Sequence, residues 1–112
     1  MKLIMAIIRP EKLSVVRKAL EELGVPGVTI TEVKGHGTQR GTVEHWRGST
    51  YTVELLPKAK VEVVVDDDRL EQALETIERT ARTGEIGDGK VFVLEIADVM
   101  RVRTGERGKA AV

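Results

Sequence analysis

Two clusters in the sequence carry residue types suited to anion binding. Residues 83–90 read Thr-Gly-Glu-Ile-Gly-Asp-Gly-Lys. Glycine-rich turns can direct backbone N–H groups at an anion, and the lysine adds a point charge. The spacing is not that of a Walker A loop, and a strand rather than a helix is predicted to follow. Arg101 and Arg103 come next, on a segment predicted to be extended with both guanidiniums on one side, which suits phosphate. An ordinary turn and a solvated basic patch are the alternatives.

A second glycine-rich stretch, residues 35–41, opens a long connection from residue 34 to residue 57. Connections of this length are uncommon in small domains and are usually functional. Residues 42–51 carry a tryptophan, a tyrosine, a serine and several charges, which predicts a segment that contacts partners or is modified. An extended hairpin without a function is the alternative. His36 and His45 lack a carboxylate pattern around them and are interpreted as polar loop residues rather than metal ligands.

Apolar periodicity predicts the elements that position the first of these clusters. Residues 3–8 are a short apolar run that predicts a buried strand. Pro10 suits the first turn of a helix. Residues 28–33 alternate with a period of two and are rich in β-branched types, which predicts a second strand. Between them, one apolar stripe predicts a helix of about 12 residues, ended by a glycine: Leu13, Val16, Leu20, Leu23 and Gly24.

The same order of elements then repeats. Residues 61–65 predict a valine-rich strand, and Asp68 with Glu71 has the spacing of a capping box. Residues 91–96 predict the last strand. The second helical stripe, offset by 57 residues from the first, is again closed by a glycine: Leu70, Ala73, Leu74, Ile77, Ala81 and Gly84.

Two βαβ units in about 100 residues predict a ferredoxin-like α+β sandwich, with both helices on one face of a four-stranded antiparallel sheet. Residues 3–8 and 91–96 are apolar on both sides of their strands. Because a two-layer sandwich covers only one face, the second face is expected to pack on another subunit. Coverage by the chain's own residues 98–112 is the alternative.

Composition excludes several classes of protein. The chain has 112 residues, 18 Lys and Arg and 18 Asp and Glu, which argues for one domain and against a generic nucleic-acid binder. It has no cysteine, which excludes disulfides, thiolate metal sites and thiol nucleophiles. It has only three aromatic residues, which argues against a base-stacking platform. No apolar stretch approaches the roughly 20 residues of a membrane span, and the first residues do not form a signal peptide. A cytoplasmic location is expected.

At these loops the sequence resembles the P-II nitrogen-regulatory signal transduction family, from Met1 to about Gly105. The strongest match is residues 83–90 followed by residues 101–105. Further matches are residues 29–35, the turn at residues 39–41, Arg47-Gly48 with Tyr51, and residues 56–58. The resemblance implies one domain over residues 1–112 in a homotrimer. Its functional segments would be a T-loop at about residues 36–55, a B-loop at about residues 82–90 and a C-terminal segment at about residues 98–112.

The resemblance also implies a function. Members are non-enzymatic signalling proteins that bind ATP or ADP in clefts between subunits and, with Mg-ATP, also bind 2-oxoglutarate. They report nitrogen, carbon and energy status by presenting the T-loop to target proteins. The implied targets are an ammonium transporter, enzymes that regulate glutamine synthetase, or N-acetylglutamate kinase. Nucleic acid is not an implied partner, and membrane contact is implied only through a transporter.

Residue roles follow from the resemblance position by position. Nucleotide phosphates would be held by three cations, Lys90, Arg101 and Arg103, with backbone contacts from Gly87, Asp88 and Gly89. Residues surrounding adenine would be Ile7, Thr29, Gly35 and Val64. Gly37 and Thr38 would also lie at the nucleotide. Thr38 stands where many members carry an arginine that reaches the phosphates, and it is expected to alter nucleotide affinity or the preference between ATP and ADP.

The effector and the modification sites are implied in the same way. Gln39 would bind Mg²⁺ and contact 2-oxoglutarate, since a carboxamide oxygen is a suitable hard ligand. Lys58 would pair with the distal carboxylate, and Gly41 and Gly87 would donate backbone N–H groups. Candidate modification sites are Tyr51, for uridylylation or adenylylation, and Ser49, for phosphorylation. His36 and Trp46 depart from the aromatic residue and the tyrosine that are usual at their positions.

Two other functions remain open from the residues alone. One is a small ATP-using enzyme, in which Asp88 would be the acidic group near Mg²⁺ and water. The sequence offers it no nucleophile–base pair. The other is a ferredoxin-like RNA-binding or metal-tolerance module, which would need aromatic stacking residues on the sheet or a metal site at His36 and His45.

Overall fold

The computed structural model describes residues 1–36 and 55–112 in full and the backbone of residues 43–46 and 49–52. Short 3-10 turns, Pro10–Lys12 and Asp67–Arg69, lead into the two helices, and neither described helix is long and apolar enough to cross a membrane. The elements are β1 (Lys2–Ile8), α1 (Leu13–Glu22), β2 (Thr29–Gly35), β3 (Val43–Trp46), β4 (Ser49–Thr52), β5 (Leu56–Val65), α2 (Leu70–Ala81) and β6 (Gly89–Glu95).

The main sheet has four strands in the order β2-β5-β1-β6, and every neighbouring pair is antiparallel. Alternate residues of β1 and β5 point to one face, where they form a single core with α1 and α2. The largest fully buried side chains are Ile4, Ile8, Leu20, Ile77, Val16 and Val61. The predicted ferredoxin-like sandwich, with both helices on one face, is confirmed.

Two local predictions were wrong. Strand β5 begins at Leu56, earlier than the predicted residue 61, because Ala59 is buried in the core while Lys58 and Lys60 lie on the other face. Asp68 and Glu71 do not form a capping box, because a 3-10 turn precedes α2 and no side chain caps the helix.

The face of the sheet opposite the helices stays open over part of its area. Phe92 is 47% exposed and Leu94 is 44% exposed on this face. The C-terminal residues reach the N-terminal end of β1, where Val99 lines a cleft together with Leu3 and Val64. The chain's own tail therefore covers only one end of the face.

The connection between the two βαβ units contains a small second sheet. Strands β3 and β4 pair antiparallel, with Val43 opposite Thr52 and Glu44 opposite Tyr51. Ser49 and Tyr51, the predicted modification sites, lie in β4, and His45 lies in β3. The nucleotide and effector predictions for Gly37, Thr38, Gln39 and Gly41 lie outside the described residues.

Candidate anion-binding site

One cleft gathers most of the predicted ligand residues that the structure describes. It lies on the open face at the C-terminal end of β1 and has a volume of about 510 Å³. The predicted residues in its lining are Ile7, Gly35, Lys58, Gly87, Asp88, Gly89 and Lys90. We call it the B-loop cleft. His36 also lines it, beside Leu56, Glu85 and Phe92.

The backbone of the B-loop is pressed against β1 at Gly89. This residue pairs with Ile8 and has a φ of +101°. A Cβ atom there would lie 1.7 Å from the carbonyl oxygen of Ile7, closer than any real contact. Only glycine therefore allows the loop to enter β6 at this point. Gly87, with a φ of +105°, meets the same left-handed requirement two residues earlier.

The carboxylate of Asp88 organises the turn from inside. It accepts hydrogen bonds from the backbone N–H groups of Thr83 and Gly84, each at 2.8 Å, from the Thr83 hydroxyl, and from Arg9 Nε at 3.0 Å. The hydrogen bond from the Thr83 hydroxyl, followed by that from the Thr83 N–H, holds the pKa of Asp88 well below its usual range. The carboxylate is thus ionised at neutral pH, and its two oxygens accept four hydrogen bonds from the protein. Arg9 also donates to the carbonyl oxygen of Ile86 at 2.9 Å.

Two lysines of the cleft have different surroundings. Lys58 Nζ donates to the carbonyl oxygen of Gly87 at 2.6 Å, which ties β5 to the B-loop. Burial, followed by the nearby charge of Arg9, lowers the pKa of Lys58. Lys90 is exposed, and its side chain makes no hydrogen bond or ion pair within the part of the chain that the structure describes. It is a cation available to an anion in the cleft.

Thr29 and Val64 lie in a second cleft, at the opposite end of the sheet. This tail cleft, of about 470 Å³, is also lined by Leu3, Glu62 and residues of the C-terminus. Thr29 and Gly35 are the two ends of β2, so about 20 Å separates them at the usual rise of an antiparallel strand. One chain therefore does not bring the four predicted adenine residues together.

The segment that carries Arg101 and Arg103 is a turn, and its predicted extended conformation was wrong. The N–H of Gly105 donates to the carbonyl oxygen of Arg101 at 2.7 Å, and the N–H of Arg101 donates to the carbonyl oxygen of Glu106 at 2.8 Å. Gly105 makes the turn possible with a φ of +75°. Met100 pairs antiparallel with Arg107, and we call residues 98–108 the C-terminal hairpin.

The turn separates the two guanidiniums. Arg101 is engaged by its own segment, with Nη1 donating to Glu106 Oε1 at 3.0 Å and Nη2 donating to the carbonyl oxygen of Ala110 at 3.2 Å. Arg103 is exposed and has no hydrogen-bond or ion-pair partner in the described residues. Only Arg103 is thus free to meet a phosphate without first giving up a contact.

Sequence reasoning missed the residues that support the loops. Arg9 follows the first predicted strand directly, but its contact with Asp88 requires knowing that β6 lies beside β1. No local sequence pattern indicated the role of Asp98 at the base of the C-terminal hairpin, since its partner Arg107 lies nine positions along the chain. In the described residues no group of three His, Asp or Glu side chains could hold a metal ion.

Comparison with known proteins places this arrangement in a family. The family model described as nitrogen regulatory protein P-II matches residues 1–106. The chain is 55% identical over its full length and theirs to P-II protein 1 of Escherichia coli strain K12 and to the P-II protein of Klebsiella oxytoca. It is 54% identical over its full length to P-II protein 2 of Methanothermobacter thermautotrophicus, covering 97% of that protein. The chain belongs to the nitrogen regulatory protein P-II family.

Proposed function

We propose that this protein is a non-enzymatic cytoplasmic sensor that binds ATP or ADP, and 2-oxoglutarate together with Mg-ATP, in clefts between the subunits of a homotrimer. The observation that carries the proposal is the division of the predicted ligand residues between two clefts. Because these clefts lie at opposite ends of one sheet, a head-to-tail contact would bring the B-loop cleft of one copy against the tail cleft and hairpin of the next. Such contacts close into a ring when the rotation between copies permits it.

The open face of the sheet supports the assembly into a trimer. Phe92 and Leu94 are large apolar side chains left nearly half exposed, and partly exposed Met5 and Ile7 lie beside them on β1. An apolar face of this kind is normally covered by another protein surface. In a ring of three copies, the three open faces would meet around the axis and remove these side chains from water.

The charges of the two regions support a nucleotide as the ligand. Lys90 on the B-loop and Arg103 on the C-terminal hairpin are both exposed cations without a partner among the described residues. A triphosphate recruits such cations together with backbone N–H groups, since hydrogen bonds to charged groups are the strong ones. Mg²⁺ is commonly held by phosphates, water and one or two protein ligands. The lack of a carboxylate cluster in the described residues fits this mode, with Gln39 as the proposed protein ligand.

The position of Lys58 supports 2-oxoglutarate as the effector. Its ammonium group lies in the B-loop cleft, within hydrogen-bond distance of the carbonyl oxygen of Gly87. The distal carboxylate of a dicarboxylic acid would be a charged partner for Lys58, while Gln39, Gly41 and Gly87 would bind the other end. If Mg²⁺ bridges the two ligands, each must strengthen the binding of the other by the same factor.

The output of the sensor is proposed to be the T-loop. Ligand-dependent ordering or release of a loop converts a small difference at a site into a different surface. The proposed targets are an ammonium transporter, enzymes that regulate glutamine synthetase, or N-acetylglutamate kinase. The name of the family, nitrogen regulatory protein, supports this choice. Tyr51 and Ser49 in β4 are the proposed modification sites.

An ATP-hydrolysing enzyme is the competing proposal, and the state of Asp88 argues against it. A carboxylate that accepts four hydrogen bonds, and whose pKa is far below its usual range, is a weak base for activating water. Sustained ATP turnover that Asp88→Asn abolishes, with ATP binding intact, would support the enzyme instead.

Calorimetric titration with 2-oxoglutarate tests the proposal. Heat of binding is expected in the presence of Mg-ATP and not in its absence. Lys58→Ala should weaken 2-oxoglutarate about tenfold or more, because it removes the charged partner of the carboxylate, and should affect ATP less. Lys18→Ala is the matched control, since Lys18 is an exposed lysine of α1. Equal binding of 2-oxoglutarate with and without nucleotide would contradict the bridged mechanism.

A further inference from the structure

One carboxylate, that of Asp98, joins the two arms of the C-terminal hairpin at its base. It lies beside a backbone hydrogen bond that the N–H of Gly108 donates to the carbonyl oxygen of Val99 at 2.9 Å. Asp98 Oδ1 accepts hydrogen bonds from the N–H groups of Val99 at 2.8 Å and Gly108 at 3.1 Å. Asp98 Oδ2 accepts from Arg107 Nε at 2.7 Å and also from Arg107 Nη2. One side chain therefore joins both arms of the hairpin. It contacts Val99, where the first arm begins, and Arg107 and Gly108, where the second arm ends.

The hydrophobic core contributes little to the shape of this hairpin. None of its residues is buried, and only Val99, Arg101 and Gly108 are partly covered. The hydrogen bonds that residues 98–108 make in the described part of the chain all go to residues 98–110. The hairpin is thus shaped by its own polar contacts and not by the hydrophobic core.

The tip of the same hairpin carries Arg103. It lies between Arg101 and Gly105, whose backbone hydrogen bond closes the turn. The hydrocarbon side chain of Val102, also at the tip, is 88% exposed. A free cation presented on a defined turn binds an anion more tightly than the same cation on a flexible segment, because the ordering has been done before the ligand arrives.

We infer that Asp98 is a positioning residue for nucleotide binding, which fastens the base of the C-terminal hairpin so that Arg103 is presented in a fixed orientation to the nucleotide. This rests on the proposed function, in which Arg103 meets phosphate in a cleft completed by a neighbouring copy. Asp98 touches no ligand itself. It acts through Arg103, and its effect on binding should vanish when Arg103 is absent.

A double-mutant cycle on the full chain tests this role. ATP affinity is measured by calorimetry for wild type, Asp98→Ala, Arg103→Ala and the double variant. Asp98→Ala should weaken ATP about tenfold, and the double variant should bind no more weakly than Arg103→Ala alone, because the two changes remove one shared interaction. Asp68→Ala is the control and should bind as wild type, because Asp68 is an exposed aspartate at the start of α2, outside the hairpin.

A further variant, together with the wild-type titration, separates failure of the proposed function from failure of the positioning role. Arg107→Ala removes the guanidinium hydrogen bonds to Asp98 and leaves those from the N–H groups of Val99 and Gly108. It should therefore lower ATP affinity less than Asp98→Ala does. If wild type binds no ATP, the proposed function fails. If wild type binds ATP but Asp98→Ala binds equally well, or if its loss adds fully to that of Arg103→Ala, the positioning role is wrong.

Discussion

The B-loop and the C-terminal hairpin use the same device but are supported in different ways. In each, one aspartate carboxylate, Asp88 or Asp98, accepts four hydrogen bonds. The B-loop is also held by Arg9, which directly follows β1, by Lys58 of β5, and by the sheet itself where β6 begins at Gly89. The hairpin, by contrast, makes its hydrogen bonds in the described part of the chain only with residues 98–110.

This difference predicts that the two regions respond differently to substitution. Changes to the residues that hold the B-loop against the sheet, Gly89 and Asp88, should reduce both the free energy of unfolding and ligand binding. Changes in the hairpin should alter ligand binding and leave the free energy of unfolding nearly unchanged.

Gly89→Ala should have the largest effect on stability. The added Cβ would lie 1.7 Å from the carbonyl oxygen of Ile7 at a φ that alanine rarely adopts, so β6 would have to shift away from β1. We expect a loss of about 3 kcal/mol in the free energy of unfolding, measured by chemical denaturation at a fixed protein concentration. Gly84→Ala has the same kind of φ with nothing within 4 Å, and it should lose less. Equal losses would show that the contact with β1 does not matter.

Asp88→Asn should weaken ATP and change the response to acid. The pKa of Asp88 lies well below its ordinary value of 3.8, so the ionised carboxylate stabilises the fold above about pH 4. That contribution is lost as the pH falls through the lowered pKa. Thermal unfolding of wild type between pH 7 and pH 2 should therefore show a steeper loss of stability at the acid end than the variant shows. Parallel curves for the two proteins would contradict the role given to this carboxylate.

Lys90→Ala and Arg103→Ala should each weaken ATP by about ten- to a hundredfold, because each removes a hydrogen bond to a charged phosphate. Both side chains are exposed, so the thermal midpoint should stay near that of wild type. Calorimetry and thermal unfolding measure the two quantities. If Arg103→Ala leaves ATP affinity unchanged, the hairpin takes no part in the site.

Glu106→Gln should have the smallest effect and the opposite sign. Glu106 forms an exposed ion pair with Arg101, and such pairs contribute little to stability. Removing its charge releases Arg101 and removes a repulsion toward phosphate, so ATP should bind about twofold to threefold more tightly. Weaker binding would show that Glu106 serves to hold Arg101 in its binding orientation.

The elements that carry strong periodicity could be predicted from the sequence. Both helical stripes and the strands on residues 3–8 and 28–33 lie where the pattern of apolar residues placed them. The first half of β5 escaped prediction, because Lys58 and Lys60 make it look like a loop. Their face of the sheet accommodates charge, while Ala59 between them is buried.

The candidate site was predictable in composition but not in geometry. The glycine turn at residues 83–90 marked the B-loop, and its positive φ angles explain why glycines stand there. The fold of the hairpin depends on contacts of Asp98 with residues nine and ten positions away, which local patterns do not encode. The separation of Thr29 from Gly35 follows only from the length of β2.

Mixing two defective chains tests whether the B-loop of one copy and the hairpin of another complete one nucleotide site. Lys90→Ala and Arg103→Ala proteins are denatured, mixed, refolded together and titrated with ATP. In a ring of three, every mixed trimer would contain one cleft with an intact Lys90 from one chain and an intact Arg103 from the next. The account predicts sites of wild-type affinity in the mixture and in neither parent alone. A mixture that binds ATP no better than its parents would contradict it.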